Sequence, residues 1–183
     1  MLTLLTNAQV FEPEDLGICH VLCGGGRILC VSHKPIDPGA AEVVDCEGQT
    51  LVPGFIDGHA HITGGGGEAG FSTSVPAPLL SQYTTAGVTT VVGVLGTDDT
   101  TRDTRPIVAR AYALREEGLG AYCHTGGYHV PAMTLTGSVR DDIVFLDPVI
   151  GVGEIAISDH RSSQPTLDEI LRLAADEIGR AHV

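Results

Sequence analysis

The sequence predicts an α/β fold with a parallel sheet, preceded by a short segment of β-strands. Two observations support this prediction. Residues 54–183 alternate apolar, β-branched runs with amphipathic helical patterns in four successive units, and repeated β-then-α units produce parallel sheets with right-handed crossovers. Residues 1–53 instead carry short strand patterns separated by turn signals, and the Pro53-Gly54 pair marks the predicted domain boundary.

The first segment is expected to contain a tight hairpin. Strand patterns cover residues 2–10, 18–23, 28–32 and 42–45. Three consecutive glycines followed by Arg27 separate the second pattern from the third, which is typical of a hairpin turn. The glycine run resembles a phosphate-binding loop only superficially, because neither a GK[ST] ending nor a helix pattern follows it.

The second segment contains strand and helix patterns of ordinary length. In chain order these are strand 55–62, helix 77–86, strand 88–95, helix 104–117, strand 121–125, strand 150–158 and a final helix. A capping box at Thr166 and Glu169 is predicted to open the final helix. The apolar side of that helix is predicted to consist of Ile170, Leu171, Ala174 and Ile178.

Two sheet arrangements fit these units. One is an open, doubly wound sheet, and the other is half of a (β/α)₈ barrel, which usually needs about 250 residues. Both folds place active sites at the carboxyl ends of their strands. Polar residues follow the predicted strands at that edge: His59, His61, Thr97, Tyr128, Asp159, His160 and Arg161. We therefore expect the functional site there.

The composition excludes several kinds of partner. The formal net charge is −13, with 10 Lys and Arg against 23 Asp and Glu, so neither nucleic acid nor an anionic membrane surface is an expected partner. No apolar run approaches the roughly 20 residues of a membrane span, and the first residues lack the pattern of a secretion signal. The five cysteines are irregularly spaced, so we expect reduced thiols and a cytoplasmic protein.

His59 and His61 are the strongest indication of chemistry. Side chains two residues apart in a strand point to the same face, so both imidazoles could bind one metal ion. On spacing alone, a pair of structural histidines explains the pattern equally well. Their position at the end of an apolar strand, shortly before four glycines, favours the metal site.

Five sequence blocks, taken together and in order, resemble one group within the amidohydrolase superfamily. They are PGFIDGHAH, GGGGEAG, AGVTTVVGVLGTD, GGYHVP and SDHRSSQP, and the group is the bacterial isoaspartyl dipeptidases. The resemblance implies the N-terminal half of a (β/α)₈ barrel, preceded by strands of a small β-sandwich domain. It also implies two Zn²⁺ ions, a metal-bridging hydroxide that cleaves the isopeptide bond of β-aspartyl dipeptides, and a homo-oligomeric enzyme when the chain is complete.

The same resemblance assigns roles to individual residues. His59 and His61 match the first two ligands of one zinc ion. Tyr128 matches a catalytic tyrosine that hydrogen-bonds the carbonyl oxygen as it becomes an oxyanion. Substrate-binding positions are matched by Gly66, Glu68, Thr97 and Arg161.

Two of these substrate-binding residues carry charge. Glu68 could hold the α-ammonium group of the aspartyl residue, and Arg161 could bind a substrate carboxylate. A solvated loop glutamate is the alternative interpretation of Glu68. For Arg161 the alternative is a salt bridge to Asp159 or Asp168.

The sequence departs from the family pattern at the bridging metal ligand. The family has a carbamylated lysine on the fourth strand, whereas this chain has Glu154 at the matching position. We expect the two oxygens of Glu154 to bridge the metal ions; a carboxylate paired with Arg161 is the alternative. The family's remaining ligands, two histidines and an aspartate, come from later strands, so we expect the 183 residues alone to be inactive.

Three functions therefore compete. The first is hydrolysis of β-aspartyl dipeptides, the second is another amidohydrolase reaction such as cyclic-amide hydrolysis or deamination, and the third is a non-catalytic half-barrel. The charges of Glu68 and Arg161 favour a dipeptide with charged ends over a neutral ring. Structural roles are expected for His124, His129 and His160.

Overall fold

The computed structural model describes residues 1–178; residues 179–183, the end of the predicted 54–183 segment, lie outside the described residues. The chain divides into two compact units, Met1–Pro53 and a second unit that begins at Gly54. Their assignment to a β-sandwich domain and a barrel domain stays a prediction. No helix among the described residues is long and apolar enough to cross a membrane.

The first unit is a single sheet of five strands. The strands are β1 (Leu2–Glu12), β2 (Glu14–Gly24), β3 (Arg27–Ser32), β4 (Glu42–Asp45) and β5 (Thr50–Leu51). β2 pairs antiparallel with β1 and β3, while β4 and β5 pair parallel with β1. Alternate residues of the two long strands form its small core: Ala8, Val10, Cys19 and Val21.

The predicted hairpin turn is confirmed. Gly25 and Gly26 connect β2 to β3 with positive φ angles of 58° and 73°. A two-residue turn of this kind needs positive φ at both positions, which glycine adopts without steric cost. The five cysteines form no disulfide in the structure, and their reduced state in the cell stays a prediction.

The second unit alternates strands with helices. Its elements are β6 (Phe55–Ala60), β7 (Gly65–Gly66), β8 (Ser74–Val75), α1 (Leu80–Thr85), β9 (Val88–Gly93), α2 (Thr104–Glu116), β10 (Gly120–Thr125), α3 (Val139–Phe145), β11 (Val149–Val152) and α4 (Leu167–Glu177). Four strands form one sheet in the order β11-β10-β9-β6, and neighbouring strands are parallel. This topology confirms the predicted α/β fold.

The core of the second unit lies between this sheet and its helices. One face of α2 and the facing strand positions are buried together: Val91, Ile107, Ala111, Leu114, Ala121, Cys123 and Val149. Each large apolar side chain buried this way contributes about 1.5 to 3 kcal/mol. The Asp103 side chain caps α2 by accepting a hydrogen bond from the Arg105 N–H at 2.8 Å. The helix therefore begins where the sequence pattern predicts.

Several elements differ from the sequence prediction: β7 and β8 were not indicated, the patterns at 55–62, 77–86 and 88–95 are each shorter in the structure, and two larger differences concern α3 and the fourth strand. The helix α3 was not indicated, because only Val139 and Ile143 among its apolar residues are buried and the pattern is too short to detect. The fourth strand ends at Val152 rather than at residue 158. Gly153 follows with φ 134°, a conformation that ends the extended pairing.

The final helix is capped as predicted but packs differently. The Thr166 hydroxyl accepts from the Glu169 N–H, and the Glu169 carboxylate accepts from the Thr166 N–H at 2.8 Å. Leu171 and Ile178, on the predicted apolar side, are 57% and 52% exposed, whereas Leu173 packs against the core. The pattern identifies an apolar side, but the position of neighbouring elements decides which side meets the core.

Candidate metal centre and substrate cleft

Three potential metal ligands meet at the carboxyl-terminal edge of the parallel sheet. His59 lies near the end of β6, His61 just beyond it, and Glu154 two residues after β11. One ligand atom from each lies within 4.8 Å of the others, and His59 Nε2 is 3.1 Å from Glu154 Oε2. The structure thus brings together all three residues expected to bind metal.

The convergence of these ligands shows that the sheet is curved. β6 and β11 are its two edge strands, three positions apart. In a flat sheet, strands three positions apart are separated by roughly 14 Å, and side chains standing upright on them do not meet. Because His59 and Glu154 are in contact, the strand ends curve toward each other as in a barrel.

Two side-chain atoms of this cluster are buried without a hydrogen-bond partner among the described residues. They are His61 Nδ1 and Glu154 Oε2. The latter is at ion-pair distance from His59, but the two atoms are not aligned as a hydrogen bond. Buried polar atoms are nearly always satisfied in folded proteins. A cluster of two imidazoles and a carboxylate with an unsatisfied oxygen fits a zinc ion, which prefers such donors.

Two glycines fix the orientation of the His61 ring. A Cβ atom at Gly96 would lie 2.8 Å from His61 Cε1, and one at Gly65 would lie 3.2 Å from His61 Cγ. Any larger residue would therefore displace the imidazole. The rings of His59 and His61 lie edge to face, with centroids 5.6 Å apart. The glycines beside the histidines thus have a packing role that the motif alone did not explain.

The expected substrate-binding side chains form a second cluster beside the metal ligands. Arg161 Nη1 lies 3.3 Å from Glu68 Oε1, and the Thr97 hydroxyl donates to the same oxygen at 3.3 Å. These three residues line a cleft of about 400 Å³ together with Gly67, Phe71 and His129. The loops that follow β7, β9 and β11 therefore contribute to one charged cleft.

Arg161 is also paired with Asp159, the alternative considered from the sequence. Arg161 Nε and Nη2 each donate to an oxygen of Asp159 at 2.9 Å. Hydrogen bonding to this guanidinium holds the pKa of Asp159 well below its usual range. The two-pronged pairing fixes the guanidinium plane while Nη1 remains directed to Glu68.

The position of Gly66 is explained by the backbone. It lies in β7 with φ 71°, and a Cβ atom there would lie 2.7 Å from the Thr73 carbonyl oxygen. Only glycine allows the β7–β8 hairpin to close at this point. Because Glu68 follows Gly66 by two residues, the hairpin places Glu68 at the cleft.

Tyr128 lies between the two clusters. The Arg161 guanidinium stands 5.5 Å from its ring centroid, and Tyr128 and Glu154 line a shared cavity of about 240 Å³. Burial and the negative charge of Glu154 raise the pKa of Tyr128. The phenol therefore keeps its proton at neutral pH and can donate a hydrogen bond to a developing oxyanion.

The histidines without a predicted role differ in their surroundings. His124 is half-buried near His59 and Glu154, and burial lowers its pKa. His129 Nδ1 lies 2.5 Å from Asp99, a buried carboxylate. His160 is exposed. No sequence motif marks Asp99, because its partner is 30 residues away in the chain.

Two histidines and a carboxylate meet at the carboxyl-terminal edge of a curved parallel sheet. This arrangement is typical of α/β-barrel proteins that bind metal at that edge. A sequence model of the amidohydrolase family matches residues 42–181. The chain belongs to this family.

Individual relatives agree with this assignment. The crystal structure of β-aspartyl dipeptidase from the thermophilic, keratin-degrading Fervidobacterium islandicum AW-1 is 48% identical with a TM-score of 0.92, covering 99% of this chain and 50% of that one. The same enzyme in complex with the β-Asp-Leu dipeptide is 47% identical with a TM-score of 0.91, covering 99% and 48%. Dihydroorotase from Lactiplantibacillus plantarum is 31% identical over 91% of this chain and 37% of its own length. The chain thus spans about half the length of the solved enzyme.

Proposed function

We propose that this chain supplies the first metal ligands and the charge-recognising cleft of a zinc-dependent hydrolase that cleaves β-aspartyl dipeptides. One observation carries the proposal: the His59, His61 and Glu154 ligand atoms converge within 4.8 Å, and Tyr128 lies between them and the paired charges of Glu68 and Arg161. The likeness to the solved β-aspartyl dipeptidase supports the choice of substrate.

His59, His61 and Glu154 would hold the zinc. Glu154 Oε2, which is buried without a hydrogen-bond partner among the described residues, is available to a cation. When bound, zinc polarises the amide carbonyl and lowers the pKa of a coordinated water. The two carboxylate oxygens of Glu154 are suited to bridge two ions, the role of the carbamylated lysine in the isoaspartyl dipeptidases that the sequence resembles.

Glu68 and Arg161 would recognise the charged groups of the dipeptide. In the structure they are paired with each other at 3.3 Å. A substrate that carries both an α-ammonium and a carboxylate can replace this pair by two new ones, with the ammonium on Glu68 and the carboxylate on Arg161. Thr97 orients the Glu68 carboxylate by donating to Oε1.

Tyr128 would act on the scissile amide itself. Its hydroxyl is protonated at neutral pH, as an ordinary phenol is, and burial raises its pKa further, so it can donate to the amide oxygen as negative charge develops there. Removing one donor of this kind typically lowers kcat by about 100- to 1000-fold. Tyr128 is therefore the catalytic residue of this chain in the proposed reaction.

The test uses the protein expressed from its full reading frame, loaded with zinc. Hydrolysis of β-Asp-Leu is compared with that of α-Asp-Leu and of dihydroorotate, since one relative is a dihydroorotase. We expect turnover of β-Asp-Leu alone. Turnover of dihydroorotate instead would replace the proposal by cyclic-amide hydrolysis, and zinc binding without turnover of any of the three would favour a non-catalytic role.

Homo-oligomerisation and a cytoplasmic location stay predictions. Light scattering would test the first and cell fractionation the second.

A further inference from the structure

The loop between β10 and α3, residues 126–138, carries Tyr128 but contains neither helix nor strand. Two buried carboxylates hold it. Asp142, 0% exposed, accepts from the Leu135 N–H and the Thr136 N–H, each at 2.8 Å, near the end of the loop. Asp99, 7% exposed, holds the beginning of the loop through His129. Two further hydrogen bonds hold the part of the loop next to Tyr128, from the Ala156 N–H to the Tyr128 carbonyl oxygen at 3.2 Å and from the Val130 N–H to Ser163 Oγ at 3.0 Å. Asp99 is the buried carboxylate that holds this part.

Asp99 binds His129 at two points. Its Oδ2 accepts the His129 main-chain N–H at 3.1 Å, and its Oδ1 lies 2.5 Å from His129 Nδ1. The carboxylate is acceptor-only when ionised, so the imidazole donates from Nδ1. Main chain and side chain of the residue after Tyr128 are thus fixed together.

The contact also joins two loops of the site. Asp99 lies two residues after Thr97 in the loop that follows β9, and His129 directly follows Tyr128. A Cβ atom at Gly127 would lie 2.5 Å from the Asp99 Cβ, so only glycine lets the two loops approach this closely. The His129 side chain, 41% exposed, also lines the cleft with Glu68 and Arg161.

We propose that Asp99 is a positioning residue for catalysis: through His129 it holds Tyr128 at the distance from Glu154 and Arg161 that the reaction requires. The inference rests on the function proposed above for Tyr128. A carboxylate is required because it accepts both His129 donors at once. In Asp99→Asn the amide oxygen can accept from only one of these donors, and the NH₂ group can face Nδ1 only after the imidazole moves its proton to Nε2, so the Nδ1–H donation would be lost.

The kinetic test uses the zinc-loaded enzyme from the full reading frame and β-Asp-Leu. Misplacing a catalytic group by about 1 Å can lower the rate by up to about 100-fold, so for Asp99→Asn we expect kcat to fall about tenfold or more. We expect KM to change less than about threefold. In a Tyr128→Phe background, Asp99→Asn should change kcat less than about twofold, because the group it positions is gone.

Two substitutions distinguish the role of the His129 Nδ1 from that of its Nε2. His129→Asn keeps an amide donor near the position of Nδ1, and we expect it to retain kcat within about threefold of wild type. His129→Gln places its amide near Nε2 instead and should lose as much kcat as Asp99→Asn. The matched control is Asp103→Asn, a neighbouring carboxylate that caps α2 outside the cleft; asparagine caps helices equally well, so no loss is expected.

A spectroscopic measurement does not depend on turnover. In protein labelled with ¹⁵N at histidine and tyrosine, we expect a protected His129 Nδ1–H signal that disappears in Asp99→Asn, together with a shifted Tyr128 amide signal. Asp103→Asn should change neither signal. If β-Asp-Leu is not cleaved at all, the proposed function fails, and these signals still decide whether Asp99 holds the Tyr128 loop. Unchanged signals in Asp99→Asn, or equal losses of kcat with and without Tyr128, would overturn the inference.

Discussion

Asp142 and Glu154 are both carboxylates at the edge of the same sheet, but their surroundings differ. Asp142 is fully buried and accepts from four donors: Thr125 Oγ1, Leu135 N, Thr136 N and Thr136 Oγ1. One oxygen of Glu154 is buried and accepts no hydrogen bond from the described residues. His59 Nε2 lies 3.1 Å from this oxygen. Buried carboxylates are tolerated only when donors or cations compensate them.

The difference assigns a role to each carboxylate. Asp142 already has its compensation from the protein, so it stabilises the loop that precedes α3. Glu154 lacks that compensation, and the histidines beside it leave a place for a cation. A carboxylate saturated with protein donors therefore serves the architecture, whereas an unsaturated one beside imidazoles indicates a ligand. The predictions below test this distinction, beginning with the largest effect.

Removing a histidine from the cluster should have the largest effect. In the complete enzyme, we expect His59→Ala and His61→Ala each to lower zinc content and to reduce β-Asp-Leu hydrolysis at least about 1000-fold, because metal-assisted hydrolysis needs a fixed coordination geometry. Elemental analysis and a dipeptidase assay measure the two quantities. Exposed His160 provides the control, since His160→Gln should keep its zinc. Full zinc content in both alanine variants would mean that neither histidine is a ligand.

Replacing Glu154 should affect metal rather than folding. Glu154→Gln removes the negative charge but keeps the shape, so we expect zinc occupancy to fall toward one ion and activity to fall about 100-fold. The melting temperature of the metal-free protein should stay the same or rise, because Glu154 Oε2 is buried there without a hydrogen-bond donor. Glu116→Gln, on the exposed side of α2, is the matched control. If Glu154→Gln retains two zinc ions and full turnover, the bridging assignment is wrong.

The sequence predicted the second unit well because its elements follow local rules. The β-branched run of β9, the Asp103 cap and the Thr166 capping box each depend on neighbouring residues. The positions of His59, His61 and Glu154 were accessible from motifs, because carboxyl ends of parallel strands share one edge. The Asp99–His129 contact was not accessible, because it joins residues 30 apart through loop geometry. The packing side of α4 likewise depends on neighbouring elements rather than on its own pattern.

Replacing Asp142 should affect folding rather than metal. Asp142→Asn removes the charge that four donors require, and losing hydrogen bonds to a buried charged group costs about 2 to 4 kcal/mol. We expect this decrease in the free energy of unfolding, measured in urea, with unchanged zinc content in the folded fraction. Asp141, one residue earlier in α3, is exposed, and Asp141→Asn should change stability by less than about 0.5 kcal/mol. If Asp142→Asn and Asp141→Asn lower the free energy of unfolding equally, the buried hydrogen bonds of Asp142 do not stabilise the fold as argued.

The smallest expected effect concerns His124, which stands beside the metal ligands but is not one of them. Burial lowers its pKa from the ordinary value of 6.5, while the charges of Glu177 and Glu154 partly oppose the shift. The unfolded chain therefore binds this proton more readily than the folded protein does. The stability gained by keeping His124 neutral is present above the unfolded pKa and is lost as the pH falls toward the folded pKa.

Metal-free protein isolates this effect, because a bound cation would also disfavour the protonated ring. We expect its free energy of unfolding to fall as the pH is lowered below about 6.5, with a shallower decline in His124→Gln. The control is His160→Gln, which removes an exposed imidazole of the same unit and should leave the slope unchanged. Urea unfolding at several pH values provides the slopes. Identical slopes for wild type and His124→Gln would show that burial of His124 does not contribute to the pH dependence of folding at this edge of the sheet.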